Sequence, residues 1–78
     1  MMVTILLFAQ LQEEVGKDRI EMDVPEITVE ELKIRAKETY KLSHIDQVMV
    51  AINEEYAFND DTVKSGDIVA FIPPVSGG

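Results

Sequence analysis

The chain has 78 residues, of which 46% are hydrophobic, and its formal net charge is −8. This length predicts one domain, residues 1–78, near the lower limit for burying an adequate core. With no cysteine and one histidine, we expect neither disulfides nor a structural zinc site. The negative charge argues against nucleic acid and anionic membranes as partners and favours basic protein surfaces. The absence of cysteine suits the cytoplasm, and the short apolar run 3–8 lacks the features of a signal peptide or membrane span.

The first third of the chain contains two predicted strands and a short helix. Residues 3–8 are β-branched, aromatic and almost continuously apolar, which predicts a strand buried on both faces. Residues 9–15 favour a short helix, with Gly16 as its C′ residue. Polar and apolar residues alternate over 19–24, as in a half-buried strand, and Pro25 ends that strand.

The main helix is predicted to begin at a capping box. The Thr28 side chain can accept the amide of Glu31, and the Glu31 side chain can accept the amide of Thr28. Val29, Leu32, Ala36 and Tyr40 then lie on one face of the helix, which is predicted to pack against the core. Ile34 lies about 140° from Val29, at about 100° per residue. The sequence leaves open whether Ile34 is a surface residue or a sign that the helix is rotated.

The second half of the chain is predicted to contain three strands joined by tight turns. Residues 48–53 form a strand, Glu54 and Glu55 turn the chain, and residues 56–57 pair back. Turn-forming residues at 59–62 and 64–67 precede a final buried strand at 68–72. This order predicts an α+β fold of the β-grasp type, with a mixed sheet of about five strands and one main helix. The first and last strands would be neighbours, so that the C-terminus leaves from the sheet centre.

The side chains do not form a recognisable catalytic constellation. A self-contained enzyme needs a nucleophile, an acid or base and a pocket. The only imidazole, His44, follows the helix, where it is expected to cap carbonyls or face solvent. The acidic pairs along the chain point apart on a helix or strand, so we expect no metal site. No glycine-rich phosphate loop follows a strand.

The last six residues, 73–78, form a candidate functional tail with the sequence Pro-Pro-Val-Ser-Gly-Gly. Because glycine has no Cβ, Gly77 and Gly78 can enter a narrow cleft, and the stretch from Val75 onwards reaches at most about 14 Å. The terminal carboxylate is a poor electrophile and requires activation, most directly as an acyl-adenylate formed with ATP. A sulfur donor that displaces AMP would leave a thiocarboxylate. The alternative is an inert tail.

Three segments of the chain resemble the small-subunit family of molybdopterin synthase. The most specific is the ending, residues 66–78, and residues 7–16 and 28–32 are similar to that family as well. The resemblance implies a ubiquitin-like β-grasp fold whose C-terminal glycine is adenylated and converted to a thiocarboxylate. The tail would then enter the active site of a large subunit and pass sulfur to cyclic pyranopterin monophosphate, building the dithiolene of molybdopterin.

The resemblance also implies roles for residues and partners. Gly78 would carry the sulfur, Gly77 and Ser76 would thread the channel, and the apolar docking surface or its edge would include Phe71, Ile72, Pro73, Pro74 and Val75. The partners would be the large subunit in a heterotetramer, an ATP-dependent activating enzyme and a sulfur donor protein, with no bound cofactor. The chain would be the sulfur-donating subunit of a sulfurtransferase. Family members often have Arg where this chain has Gln12.

Three other functions remain open at this stage. A sulfur carrier for thiazole biosynthesis would use the same terminal chemistry. A ubiquitin-like modifier would instead be joined through Gly78 to lysines of other proteins. The third alternative is a β-grasp interaction module whose tail is inert.

Overall fold

The computed structural model describes residues 1–42 and 45–74. A five-stranded mixed sheet has the order β2-β1-β7-β4-β5, and β3 pairs with β6 in a separate two-stranded ladder. The predicted α+β arrangement, with one mixed sheet and one main helix, is confirmed. In chain order the elements are β1 (Met2–Leu7), α1 (Ala9–Val15), β2 (Arg19–Asp23), β3 (Ile27–Thr28), α2 (Val29–Tyr40), a 3-10 turn (Ile45–Gln47), β4 (Met49–Ile52), β5 (Glu55–Ala57), β6 (Thr62–Val63) and β7 (Ile68–Ile72).

The C-terminal strand β7 lies in the middle of the sheet. It runs parallel to β1, with Leu7 opposite Phe71, and antiparallel to β4, with Val50 opposite Phe71. Two strands therefore lie on either side of it. The prediction that the first and last strands are neighbours is confirmed.

The hydrophobic core occupies one face of this sheet, beneath α2. Val3, Ile5 and Leu7 of β1 alternate with more exposed residues and are at most 2% exposed. The helix contributes Val29, Leu32 and Ala36, all fully buried, whereas Ile34 is 52% exposed. The predicted helical face is thus confirmed, and Ile34 is a surface residue on the outer side of α2.

The prediction that the first strand is buried on both faces is wrong, and the last strand, predicted to be buried, also has one exposed face. Both strands alternate between buried and more exposed side chains, which is the pattern of strands with only one covered face. Met2 is 53% exposed and Ile68 is 49% exposed. The reason is that α2 covers the core face, and no described element covers the other.

The predicted start of α2 and the predicted end of α1 are both confirmed. The backbone N–H of Glu31 donates to Thr28 Oγ1 at 3.2 Å, and that of Thr28 donates to Glu31 Oε1 at 3.2 Å. These two bonds satisfy orphan donors of the first turn of α2. At the end of α1, Gly16 adopts a φ of 83° and its N–H donates to the carbonyl of Gln12.

The β4–β5 turn is one residue earlier than predicted. Ile52 pairs with Glu55, so the two turn residues are Asn53 and Glu54, with φ of 51° and 72°. Positive φ at both positions is the signature of a type I′ hairpin turn. The Asn53 amide ties this turn to β7, because its Oδ1 accepts from the Ile68 N–H and its Nδ2 donates to Asp67 Oδ1, both at 3.0 Å.

Candidate functional site

The predicted tail begins where the central strand ends. Ile72 and Pro73 are half-buried, and Pro74 is exposed. The other predicted tail residues, Val75, Ser76, Gly77 and Gly78, lie outside the described residues, as does His44. Their assigned roles remain predictions.

The structure corrects one predicted docking residue, Phe71. Its side chain is 0% exposed and packs within the core cluster under the sheet. It therefore offers no accessible surface to a partner in the free protein. Because successive side chains of a strand point to opposite faces, its neighbour Ile72 points to the other face and stays available for contact.

The uncovered side of the sheet, here called the open face, gathers the exposed apolar residues. Seven large hydrophobic side chains are exposed among the described residues, and strand alternation and register place six of them on this face or at its margin. Only Ile34, on the outside of α2, lies elsewhere. Exposed apolar residues gathered on one face in this way are typical of an interaction site. The six residues are Met2, Phe8, Met49, Tyr56, Phe58 and Ile68.

At the centre of the open face lies a hollow of about 790 Å³. Its floor is low because Ala70 of β7 lies between Leu6 of β1 and Ala51 of β4 in register. Two adjacent alanines leave a depression between larger side chains. The walls and rim of the hollow are formed by Phe8, Asn53, Glu54, Tyr56, Ile68 and Ile72.

The sequence did not reveal the hollow, because an apolar strand looks the same whether its second face contacts the protein's own core or a partner. The only available signal was the excess of apolar residues over what a single helix can cover.

The open face changes from charged to apolar across the sheet. On the β2 side, Arg19, Glu21 and Asp23 are exposed and pair with Leu6, Thr4 and Met2 of β1. The Met1 ammonium lies 3.0 Å from Asp23 Oδ1. The β7, β4 and β5 side is apolar up to the turn that carries Glu54. A partner that covers this face therefore needs an apolar centre with a polar margin.

Other chemistry is sparse in the described part of the chain. Within residues 1–42 and 45–74, no group of three or more acidic or histidine side chains converges in a way that could hold a metal ion. No helix there is long and apolar enough to cross a membrane. Gln12 is exposed on α1 and borders a small polar depression with Lys17 and Arg19.

The sequence is similar to known proteins over nearly its whole length. The profile of the ThiS family matches residues 5–78. The chain is 42% identical to the molybdopterin synthase sulfur carrier subunit of Dictyostelium discoideum, over 95% of this chain and 93% of that protein. It is 36% identical to the protein of the same name from Escherichia coli K12, over 99% of this chain and all of that protein.

Solved structures show the same architecture. SAMP1, the small archaeal modifier protein 1 of Haloferax volcanii, superposes with a TM-score of 0.84 at 27% identity, with both chains fully covered. A chain in the complex of subunits 1 and 2 of the molybdopterin-converting factor from Helicobacter pylori superposes with a TM-score of 0.71 at 25% identity, again with full coverage of both. These neighbours confirm the ubiquitin-like β-grasp fold. The chain therefore belongs to the ThiS family, and its relatives include molybdopterin synthase sulfur carrier subunits.

Proposed function

We propose that this chain is the sulfur carrier subunit of molybdopterin synthase, a cytoplasmic sulfurtransferase. The observation that supports this most directly is that β7, the central strand of the open face, ends at Ile72, immediately before the first tail residues Pro73 and Pro74. The full-length similarity to curated relatives that bear this name supports the proposal. The same relatives favour it over the thiazole carrier.

The chemistry takes place at the terminal carboxylate of Gly78. An activating enzyme uses ATP to form an acyl-adenylate and releases pyrophosphate. Sulfur from a donor protein, delivered at the oxidation level of sulfide, displaces AMP and leaves the thiocarboxylate. This anion attacks a carbon of cyclic pyranopterin monophosphate and displaces an oxygen substituent, so that a C–S bond replaces a C–O bond, and water then cleaves the acyl–sulfur bond to regenerate the carboxylate. Two such transfers, each from one thiocarboxylated chain, supply the two sulfurs of the dithiolene. This chain binds no cofactor in the scheme, since ATP is held by the activating enzyme.

The open face provides the docking surface for the large subunit. The start of the tail is adjacent to this surface. Ile72, the last residue of β7, pairs with Met49 of β4. On its other side, Phe71 pairs with Leu7 of β1, so that Ile72 lies beside the residue that follows Leu7. That residue, Phe8, is 46% exposed. From Ile72 the six residues 73–78 span at most about 20 Å, so the acceptor site has to lie close to the docked sheet. Aromatic side chains at the margin are the type that anchors protein interfaces.

The assembly that follows is a heterotetramer in which two small subunits flank a dimer of large subunits. A complex of subunits 1 and 2 in the Helicobacter pylori factor supports the pairing of small and large subunits. Ordering the tail costs roughly 1–2 kcal/mol per residue, and burial of the open face offsets this cost.

The proposal is tested by intact-mass analysis. The purified chain is incubated with its activating enzyme, ATP and a sulfur source. We expect the mass to rise by one oxygen-to-sulfur exchange, in a reaction that needs ATP and is absent from a variant that lacks Gly78. A terminus that remains a carboxylate after incubation with the complete system would contradict the proposal.

A second candidate function is protein modification through Gly78. It is favoured by the similarity to the small archaeal modifier protein 1. This function predicts ATP-dependent adducts of higher mass that survive a denaturing gel and disappear when Gly78 is removed. A carrier that is only a synthase subunit gives the sulfur exchange without such adducts.

A further inference from the structure

We propose that Glu54 forms an ion pair with an Arg or Lys of the large subunit that docks on the open face, and so strengthens its binding. This inference rests on the proposed function, because it assumes that the large subunit occupies that face. It is carried by three observations on Glu54: its backbone conformation, a carboxylate that bonds to none of the described residues, and its position at the hollow.

The first observation is that Glu54 occupies a position where glycine is the favoured residue. It is the second residue of the type I′ turn and has a φ of 72°. Asn-Gly is the preferred pair in such turns, because the second residue has a positive φ that a Cβ disfavours. Asn53 follows this preference and Glu54 does not. A side chain in this conformation destabilises the turn relative to glycine.

The second observation is that the Glu54 carboxylate makes no compensating contact with residues 1–42 or 45–74. The side chain is exposed, and it has no hydrogen bond or ion pair with any described residue. Asn53 in the same turn bonds to Asp67 and Ile68. The folded chain alone therefore gives no reason for a glutamate here. A strained residue without an internal role indicates a role in binding.

The third observation is position. Glu54 lines the hollow of the open face together with Tyr56 and Ile68, so that its carboxylate lies at the margin of an apolar surface. When a partner covers this surface, the carboxylate lies at the solvent-accessible rim of the interface, where it requires an opposite rather than a like charge across from it. An Arg or Lys of the partner satisfies this requirement. Charges at an interface margin contribute mainly to partner choice and association rate.

The neighbouring glutamate provides a matched control. Glu55 has the same charge and is also exposed, but it pairs with Ile52, whose side chain packs against the core, and it does not line the hollow. E54Q and E55Q therefore change the net charge equally and at adjacent positions. They differ in that only Glu54 lines the hollow of the open face. A long-range effect of charge alone would affect both variants alike.

The experiment measures binding of each variant to the large subunit of molybdopterin synthase from the same organism, by titration calorimetry at low and high NaCl. We expect E54Q to raise Kd by about 3- to 10-fold at about 50 mM NaCl and by less than about 2-fold at about 500 mM, because salt screens a marginal ion pair. E55Q is expected to stay within about 2-fold of the parent chain at both salt concentrations.

A glycine variant separates binding from folding. E54G relieves the positive-φ strain, while it also increases the freedom of the unfolded chain, and these effects oppose each other. We expect its melting temperature to equal that of the parent chain or to exceed it by up to about 5 °C, while its affinity falls as in E54Q. A clear fall in melting temperature would show that Glu54 has a stabilising role in the folded chain and would overturn the inference.

The inference and the proposed function fail differently. If E54Q binds like the parent chain, or if E55Q weakens binding equally, the ion pair is wrong while the carrier function stands. If the parent chain shows no binding to the large subunit, both are wrong.

Discussion

The open face makes a quantitative prediction for the variant Y56A. Tyr56 lines the hollow and is 70% exposed in the free chain. A tyrosine has at least about 150 Å² that a contact can bury, so about 100 Å² remains available to a partner. At about 25 cal/mol per Å² this area corresponds to about 2.5 kcal/mol. After allowance for the alanine Cβ, we expect a loss of about 2 kcal/mol in binding, or roughly a 30-fold rise in Kd.

The same variant should remain folded. The part of Tyr56 already covered in the free chain is small, so Y56A is expected to reduce the free energy of unfolding by at most about 1 kcal/mol. The assay is titration calorimetry with the large subunit, accompanied by a thermal melt. The matched control is I34A. Ile34 is 52% exposed on the outer side of α2, so its removal should leave Kd within about 2-fold of the parent value. The free energy of unfolding should fall by at most about 1 kcal/mol, because the helix propensity of alanine offsets part of the lost contact.

Two results would refute this account of the open face. One is a folded Y56A chain that binds the large subunit as tightly as the parent chain. The other is an I34A chain that loses affinity to the same extent, which would place the interface on α2.

Three further predictions concern the fold. F71A should lower the free energy of unfolding by about 3–5 kcal/mol in urea titrations, well beyond the loss for I72A, and equal losses would contradict the assignment of Phe71 to the core. T28A removes the cap of α2 and should cost about 1 kcal/mol, read as a fall of about 4–8 °C in melting temperature; an unchanged melt would mean that the capping box is not formed in solution. G16A meets no atom within 4 Å of the new Cβ, so its cost should be the left-handed backbone alone, about 1–2 kcal/mol, and a larger loss by urea titration would reveal a contact that the structure lacks.

Local sequence signals predicted most of the architecture. The capping box at Thr28, the C′ glycine at the end of α1 and the alternation in β2 are short-range features whose physics depends on a few neighbouring residues. Each is present in the structure. The placement of β7 beside β1 followed from their shared apolar character.

Features that depend on the rest of the molecule could not be predicted in the same way. An apolar run such as residues 3–8 does not reveal whether its second face is covered by the chain itself, which is why two buried faces are predicted for the first strand although only one is covered. For the same reason Phe71 and Ile72 were assigned together, although they point to opposite faces of the sheet. The β3–β6 ladder has two residues per strand, too few for a periodic signal. The turn is predicted one residue too late, because glutamate is unusual at a position with positive φ and Glu54 therefore gives no signal for the second turn residue.

The central claim is that the C-terminal carboxyl group of Gly78 carries the transferred sulfur. The most direct measurement mixes the thiocarboxylated chain with the large subunit and cyclic pyranopterin monophosphate, without any other sulfur source, and quantifies molybdopterin together with the mass of the chain. We predict that molybdopterin forms as the chain returns to its carboxylate mass, and that a folded chain lacking Gly78 forms none. Equal molybdopterin from the chain lacking Gly78 would contradict the account.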